Sequence, residues 1–336
     1  MSWKQILFIA KCAVSLAILG YLFYGASQNG QWEQLRETPK QWGWVATGFF
    51  GCLAAMLFSF YRWQLLVRAL DLPFRLVDSI RIGFIGLFFG LFAFGVVGND
   101  SLRAFYAARQ AKDRVSAAVT SVLADRVIGL ITMFTIATIA FCSVDLSTLA
   151  ASYPEKAQAL SVVGWFVMAC TGCGYAGLMV LCFTPTLKKT RLFQWFIELP
   201  KIGGTLEKVS EAVVMYRGRP GVILASFGLS AMVNCCFLLS MFSLAKGLTS
   251  GHPTLPEHLI IEPLAMVSNA APLPGGIGGL EFAMKFLYLA FNSANGVIVG
   301  FAFRIVFLAV SAIGAFFWFA NRETVAELKQ SAGKPE

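Results

Sequence analysis

Ionisable side chains lie inside apolar stretches at several points of this 336-residue chain. Those whose types could do chemistry are Asp100, Arg103, Asp125, Arg126, Glu262, Glu281 and Arg304. Arginine binds phosphate through two parallel hydrogen bonds, whereas a carboxylate binds cationic or hydroxyl groups or takes up a proton. A charge at the centre of a bilayer costs about 2.5–3.5 kcal/mol on insertion scales. These groups must therefore pair with one another or line a polar cavity.

A glycine-rich loop accompanies these charges. Residues 272–281 read Pro-Leu-Pro-Gly-Gly-Ile-Gly-Gly-Leu-Glu, between two apolar runs. Irregular backbone at membrane depth survives only where it is buried in protein or lines a cavity. We therefore place a substrate-binding site at this loop, and its candidate residues are Pro274, Gly275, Gly276, Gly278 and Glu281.

Two interpretations of the charges stay open. In the structural one they neutralise each other, and the expected pairs are Asp100 with Arg103, Glu281 with Lys285, and Arg304 with Glu262 or Asp125, while Arg126 extends to the interface. In the functional one Arg103, Arg126 and Arg304 hold a phosphate, while Asp100, Glu262 and Glu281 hold cationic or hydroxyl groups or a proton. Because adjacent residues diverge by about 100° on a helix, we expect Asp125 and Arg126 to have separate partners.

The composition places the chain in a membrane. Hydrophobic residues make up 57% and charged residues 13%, whereas a soluble domain carries about 25% charged residues. A helix needs about 20 apolar residues to cross about 30 Å of hydrocarbon. The runs near that length are 6–24, 44–66, 82–97, 119–142, 159–183, 221–245, 258–271, 280–291 and 297–320.

Basic residues set the expected arrangement, because short cytoplasmic loops are enriched in Lys and Arg. The connections on both sides of run 82–97 are basic, so this run should enter from the cytoplasm, turn near Gly95–Asp100 and return. Runs 258–271 and 280–291 should likewise enter from outside and turn at 272–279. The prediction is an all-α polytopic membrane protein with six full spans and two opposed re-entrant hairpins, at about 80–106 and 258–292, which suggest an inverted pseudo-repeat. One integral-membrane domain would cover 1–320, with a cytoplasmic loop at 184–220, a tail at 321–336 and both termini cytoplasmic.

Three ordered motifs resemble a known family. They are Gly98-Asn-Asp-Ser-Leu-Arg103, Asp125-Arg-Val-Ile-Gly-Leu130 and Pro274-Gly-Gly-Ile-Gly-Gly-Leu-Glu281. Nearly the whole chain resembles the flippase-like membrane region of lysylphosphatidylglycerol synthases, where Gly-Gly-Asp-x-x-Arg, Glu-Arg-x-x-Gly-Leu and Pro-Gly-Gly-x-Gly-x-x-Glu are favoured. Arg304 also falls where the family tends to carry an arginine. The chain departs from these patterns at Asn99 and Asp125, and no proline precedes Gly98.

The resemblance implies a transporter-like domain that handles lipids. We expect it to move an anionic or aminoacylated phospholipid, or a prenyl-phosphate-linked substrate, between the leaflets of a bacterial inner membrane. Since only residues 321–336 follow the last span, we expect no soluble aminoacyl transferase domain and no enzyme activity. We also expect no metal, because all eight cysteines lie in or beside apolar runs. The net charge of +9 follows from basic cytoplasmic loops, so we expect no nucleic-acid partner, and we expect no cofactor.

Two other functions remain alternatives. An intramembrane lipid-modifying transferase would use Asp100 or Glu281 as a base beside a phosphate site. A non-transporting membrane partner of a lipid-synthesis enzyme would instead tolerate neutralisation of Arg103 and Glu281.

Overall fold

The fold comes from a computed structural model that describes residues 3–92, 96–110, 114–143, 154–182, 215–269 and 277–320. Every regular element in these ranges is an α-helix. The helices are α1 (Trp3–Gln28), α2 (Gln31–Glu37), α3 (Trp42–Arg68), α4 (Leu76–Phe92), α5 (Val96–Gln110), α6 (Val115–Cys142), α7 (Pro154–Cys182), α8 (Pro220–Leu248), α9 (Leu255–Asn269), α10 (Gly279–Ala290) and α11 (Gly296–Phe319).

The all-α polytopic prediction is confirmed. Five helices, α3, α6, α7, α8 and α11, are long and apolar enough to cross a membrane. The remaining predicted span corresponds to α1, whose stretch Ala13–Gln28 is also apolar. Large apolar side chains such as Trp165 and Leu224 remain exposed on these helices, as expected for surfaces that face lipid.

Hydrogen bonds between loops define two ends of the helix bundle. At the first end, Gln41 N–H donates to the Gly247 carbonyl, and the Asn295 side chain donates to the Gly251 carbonyl. We call this the Gly251 end. At the other end, the Tyr216 hydroxyl donates to the Leu66 carbonyl near the end of α3. Asp71 lies in the loop that follows α3, and we call this the Asp71 end. The helices α3 and α8 therefore run antiparallel between the two ends.

Two helical hairpins open at opposite ends of the bundle. The start of α9 and the end of α10 meet at the Gly251 end, where Ser293 and Asn295 both donate to the Gly251 carbonyl. The start of α4 and the end of α5 contribute Ile82 and Ala107 to one hydrophobic cluster, which also contains Leu66 and Tyr216 of the Asp71 end. This matches the opposed hairpins that the basic loops predicted, while their depth in a membrane stays a prediction.

Helix α5 begins earlier in the chain than the sequence indicated. The sequence predicted a turn near Gly95–Asp100, but α5 already begins at Val96, so that Asp100 lies inside the helix. Asn99 packs against Gly86 of α4, where a methyl group would clash with the Asn99 side chain. The glycine thus permits close packing of α4 and α5.

Helix α11 is the element on which both hairpins pack. Toward the Gly251 end, Gly296 and Gly300 let α10 approach, since a Cβ at Gly300 would lie 3.2 Å from Cα of Glu281. Toward the Asp71 end, Gly314 lies against the backbone of Phe84 in α4, with no room for a Cβ. Small residues four apart allow this approach in lipid, and it sets the two hairpins against one common helix.

Candidate functional site

Asp125 is the centre of a buried group of charges. Its Oδ1 accepts from Nε of Arg62 at 2.7 Å, and its Oδ2 accepts from Arg103 at 3.4 Å. Arg62 also donates to the Ser230 hydroxyl at 2.6 Å. The group joins α3, α5, α6 and α8, and its two arginines and one carboxylate leave one positive charge uncompensated.

Glycine at 129 makes room for this group. Gly129 lies one turn after Asp125 on α6, and a Cβ there would be 3.2 Å from a guanidinium nitrogen of Arg62. That contact is tighter than ordinary packing, so the glycine of the second motif accommodates the buried arginine.

The guanidinium group of Arg103 makes cation–π contacts with two aromatic rings. Its guanidinium carbon lies 4.8 Å from the ring centre of Trp63 and 5.3 Å from that of Phe60. Cation–π contacts of this kind stabilise a desolvated guanidinium by about 2 kcal/mol. Yet Nε of Arg103 is buried without a hydrogen-bond partner, and so is Oδ1 of Asn99, one turn earlier on the same face of α5. Nε of Arg103 thus remains without an acceptor, and Oδ1 of Asn99 faces Gly86 of α4 without a donor.

Asp100 and Arg126 form a second ion pair close to this group. Nε of Arg126 donates to Oδ2 of Asp100 at 2.6 Å, and its terminal nitrogen donates to the other oxygen. The side chains are 39% and 21% exposed for Arg126 and Asp100 respectively. This bidentate pair ties α5 to α6 where the site is most accessible.

Glu281 and Arg304 form the buried ion pair of the other hairpin. Nε of Arg304 donates to Oε1 of Glu281 at 2.6 Å, and a second nitrogen donates to Oε2 at 3.2 Å. Oε2 also accepts from the N–H of Gly278 at 3.0 Å, which is half of a capping box at the start of α10. Gly278 has φ +98, a conformation that favours glycine. The carboxylate therefore both starts the helix and neutralises Arg304.

Glu262 differs from the other carboxylates. Its side chain is 1% exposed, and neither oxygen has a hydrogen-bond partner. It lies on α9 directly before Pro263, which lies inside the helix.

All three expected pairs are wrong. Asp100 pairs with Arg126 and not with Arg103, and Arg304 pairs with Glu281. Lys285 instead donates to the Tyr21 hydroxyl of α1 at 3.2 Å. The separate partners expected for Asp125 and Arg126 are confirmed.

Arg62 was missed because its charge was assigned to the basic end of a span. A signal was present, since an arginine six residues before the end of α3 lies about 9 Å inside the helix. Asn99 and Ser230 carry no charge and gave no signal.

The structure brings the predicted residues into two separate groups. Asp100, Arg103, Asp125 and Arg126 cluster in the Asp71 half, whereas Glu281 and Arg304 pair in the other half. Pro274, Gly275 and Gly276 lie outside the described residues. An open cavity of about 1120 Å³ lies at the Asp71 end between α3 and the following loop, and its lining, which includes Gln64, Arg68 and Arg75, contains none of the predicted site residues.

Comparison with known proteins gives one match. The family model for the lysylphosphatidylglycerol synthase TM region matches residues 8–322. No curated protein and no solved structure matches the chain.

Proposed function

Because this chain belongs to the lysylphosphatidylglycerol synthase TM-region family, we propose that it moves a phosphate-bearing lipid or lipid-linked headgroup between the leaflets of a bacterial inner membrane. The family indicates a lipid-related role in the membrane. The finer assignment, transport, rests on the buried charges and on the two opposed hairpins.

The main support for the proposal is Nε of Arg103, which is buried without a hydrogen-bond partner. Arg62 and Arg103 share the single carboxylate of Asp125, so the buried group has an excess positive charge. A buried donor without an acceptor costs about 1–3 kcal/mol, and a phosphate oxygen at Nε of Arg103 would remove that cost while balancing the charge. Arginine suits this task because its planar fork matches phosphate geometry.

The opposed hairpins support movement across the membrane. Transporters with oppositely inserted broken helices bind substrate near the midplane and expose it to each side in turn. Here both hairpins pack on α11, through Gly314 on one side and Gly296 and Gly300 on the other. A tilt of either hairpin against α11 would open the site to one leaflet.

A liposome assay tests the proposal. Purified protein should accelerate exchange between leaflets of fluorescent anionic, aminoacylated or prenyl-phosphate lipids, measured by protection from a membrane-impermeant quencher. Arg103→Gln should abolish the acceleration, whereas Arg219→Gln, which affects an exposed ion pair with Asp71, should not.

Two results would overturn the proposal. One is no acceleration for any of the three lipid classes with folded wild-type protein. The other is a new lipid species, detected by mass spectrometry, whose formation depends on the protein; that result would favour the transferase alternative.

A further inference from the structure

Glu262 is a buried carboxylate that the ion pairs described above do not include. The other buried carboxylates in the described ranges, Asp125 and Glu281, each accept hydrogen bonds from arginine. Glu262 is as buried as they are, and both its oxygens lack a partner. An ionised carboxylate in such a place costs several kcal/mol. The neutral acid is the form that this environment accepts.

The nearest titratable group on the same face of α9 cannot neutralise Glu262. His258 lies one turn earlier and is fully buried. Its Nδ1 lies 2.9 Å from the Thr254 carbonyl, which only accepts, so Nδ1 carries the proton. Its Nε2 then accepts from the Tyr288 hydroxyl at 2.8 Å. Both ring nitrogens are engaged, and the neutral imidazole satisfies both bonds.

The charged groups on helices packed against α9 are also engaged. On α10 Glu281 bonds to Arg304 of α11, and Lys285 contacts Tyr21. On α8, Lys246 lies 4.1 Å from the ring centre of Trp44.

On α6, the charged residues of the buried stretch are Asp125 and Arg126. They pair with arginines of α3 and α5 and with Asp100, in the Asp71 half. Among the described residues, no cation forms a hydrogen bond with Glu262.

We infer that Glu262 is a reversible proton-binding site, protonated in the described conformation and deprotonated when movement of the α9–α10 hairpin admits water to it. Pro263 supports such movement, because it lacks the N–H that would bond to the Leu259 carbonyl and so weakens α9 beside the carboxyl group. The coupling of this proton to lipid movement rests on the proposed function, whereas the proton site itself rests on burial and missing partners.

Dicyclohexylcarbodiimide is a direct probe of the proton site. The O–H of a protonated carboxyl adds across its C=N bond, and the product rearranges to a stable N-acylurea that mass spectrometry locates. Purified wild-type protein should be labelled at Glu262 and not at Glu281, whose carboxylate is held by Arg304. Labelling should fall about tenfold for each pH unit above the midpoint of titration. Glu262→Gln should lose the label, while Glu257→Gln, on the same helix, should keep it.

Two labelling results would contradict the proposed proton site. An unlabelled Glu262 in folded protein would overturn the proton site. Labelling that stays the same from acidic pH to the most alkaline pH at which the protein remains folded would overturn its reversibility, because a reversible acid loses its protonated form as pH rises through its midpoint.

A proton-flux assay tests the coupling separately. In liposomes that hold a pH-sensitive dye, a lipid gradient should drive proton movement with wild-type protein and with Glu257→Gln. Glu262→Gln should lose the proton movement while retaining lipid exchange when an ionophore collapses the pH gradient. Lipid exchange without proton movement, or exchange driven by sodium instead, would overturn the coupling and leave the transport proposal intact. If no lipid moves at all, the transport proposal fails, and the labelling alone decides the proton site.

Discussion

Arg62 donates from Nε to Oδ1 of Asp125 at 2.7 Å, although 63 residues separate the two along the chain. This bond joins α3 to α6 inside the apolar part of the bundle. Because Arg103 occupies the other oxygen, the carboxylate is shared, and neither arginine is fully neutralised. The arrangement gives the buried site its positive character.

The first prediction concerns Arg103. Replacing it with Lys keeps the charge but removes the planar fork and the unsatisfied Nε. We expect lipid exchange to fall about 10- to 100-fold, because a charge-assisted hydrogen bond contributes about 1.5–3 kcal/mol. The liposome assay measures it, with Arg219→Lys as the matched control at an exposed pair. Equal rates for the two variants would contradict the assigned role.

The second prediction concerns Asp125. Asp125→Asn leaves two buried arginines without their carboxylate, and breaking a buried ion pair in this way costs about 3–5 kcal/mol. Thermal unfolding in detergent should show a much lower midpoint than for wild-type protein. Asp71→Asn should change it little, because Asp71 and Arg219 form their ion pair on the surface. A similar midpoint for both variants would show that Asp125 is not the structural centre.

The third prediction separates the observed partner of Glu281 from the one its sequence spacing indicated. Glu281→Gln should destabilise the protein by about 3–5 kcal/mol, because it removes the charge opposite the buried Arg304. Lys285→Met, one turn further along α10, should destabilise it less, since Lys285 lies on the exposed side against Tyr21. Equal losses in thermal unfolding would instead support a Glu281–Lys285 pair.

The fourth prediction tests the packing of α4 on α11. Gly314→Ala would place a methyl group on the Phe84 carbonyl oxygen, and overpacking of this kind costs about 1–3 kcal/mol. Gly228→Ala, in α8, meets nothing within 4 Å and should stabilise the helix by up to about 1 kcal/mol. Opposite shifts in the unfolding midpoint are expected. A neutral Gly314→Ala would mean that α4 does not pack here.

The fifth prediction concerns pH at the Asp71 end. A hydrogen bond from Arg219 lowers the pKa of Asp71 below its usual value of 3.8. A lowered folded-state pKa contributes stability above the unfolded value, and this contribution is lost as pH falls through the folded-state value. The difference in unfolding midpoint between wild-type protein and Asp71→Asn should therefore be constant near neutral pH and shrink below about pH 4. Asn suits this position because Asp71 has φ 57. A difference that grows on acidification would contradict the pair.

The helices, and the apolar surroundings of the buried charges, could be predicted from the amino-acid sequence. Apolar runs of span length follow from the thickness of the bilayer, so all six predicted spans correspond to helices. Intramembrane charge is costly wherever it occurs, so the apolar context of Asp100, Arg103, Asp125, Glu281 and Arg304 was enough to single them out. Two consecutive basic loops led to the opposed re-entrant hairpins, whose depth in a membrane stays a prediction.

The pairing of these charges, in contrast, depends on the tertiary structure. Spacing along one helix favoured Asp100 with Arg103 and Glu281 with Lys285, because residues three or four apart share a face. The observed partners come from other helices, since burial makes the gain from a short, desolvated contact larger than that from an exposed neighbour on the same helix. Which helices meet depends on the close approach at Gly296, Gly300 and Gly314 on α11, and these three-dimensional contacts leave Glu262 without a partner.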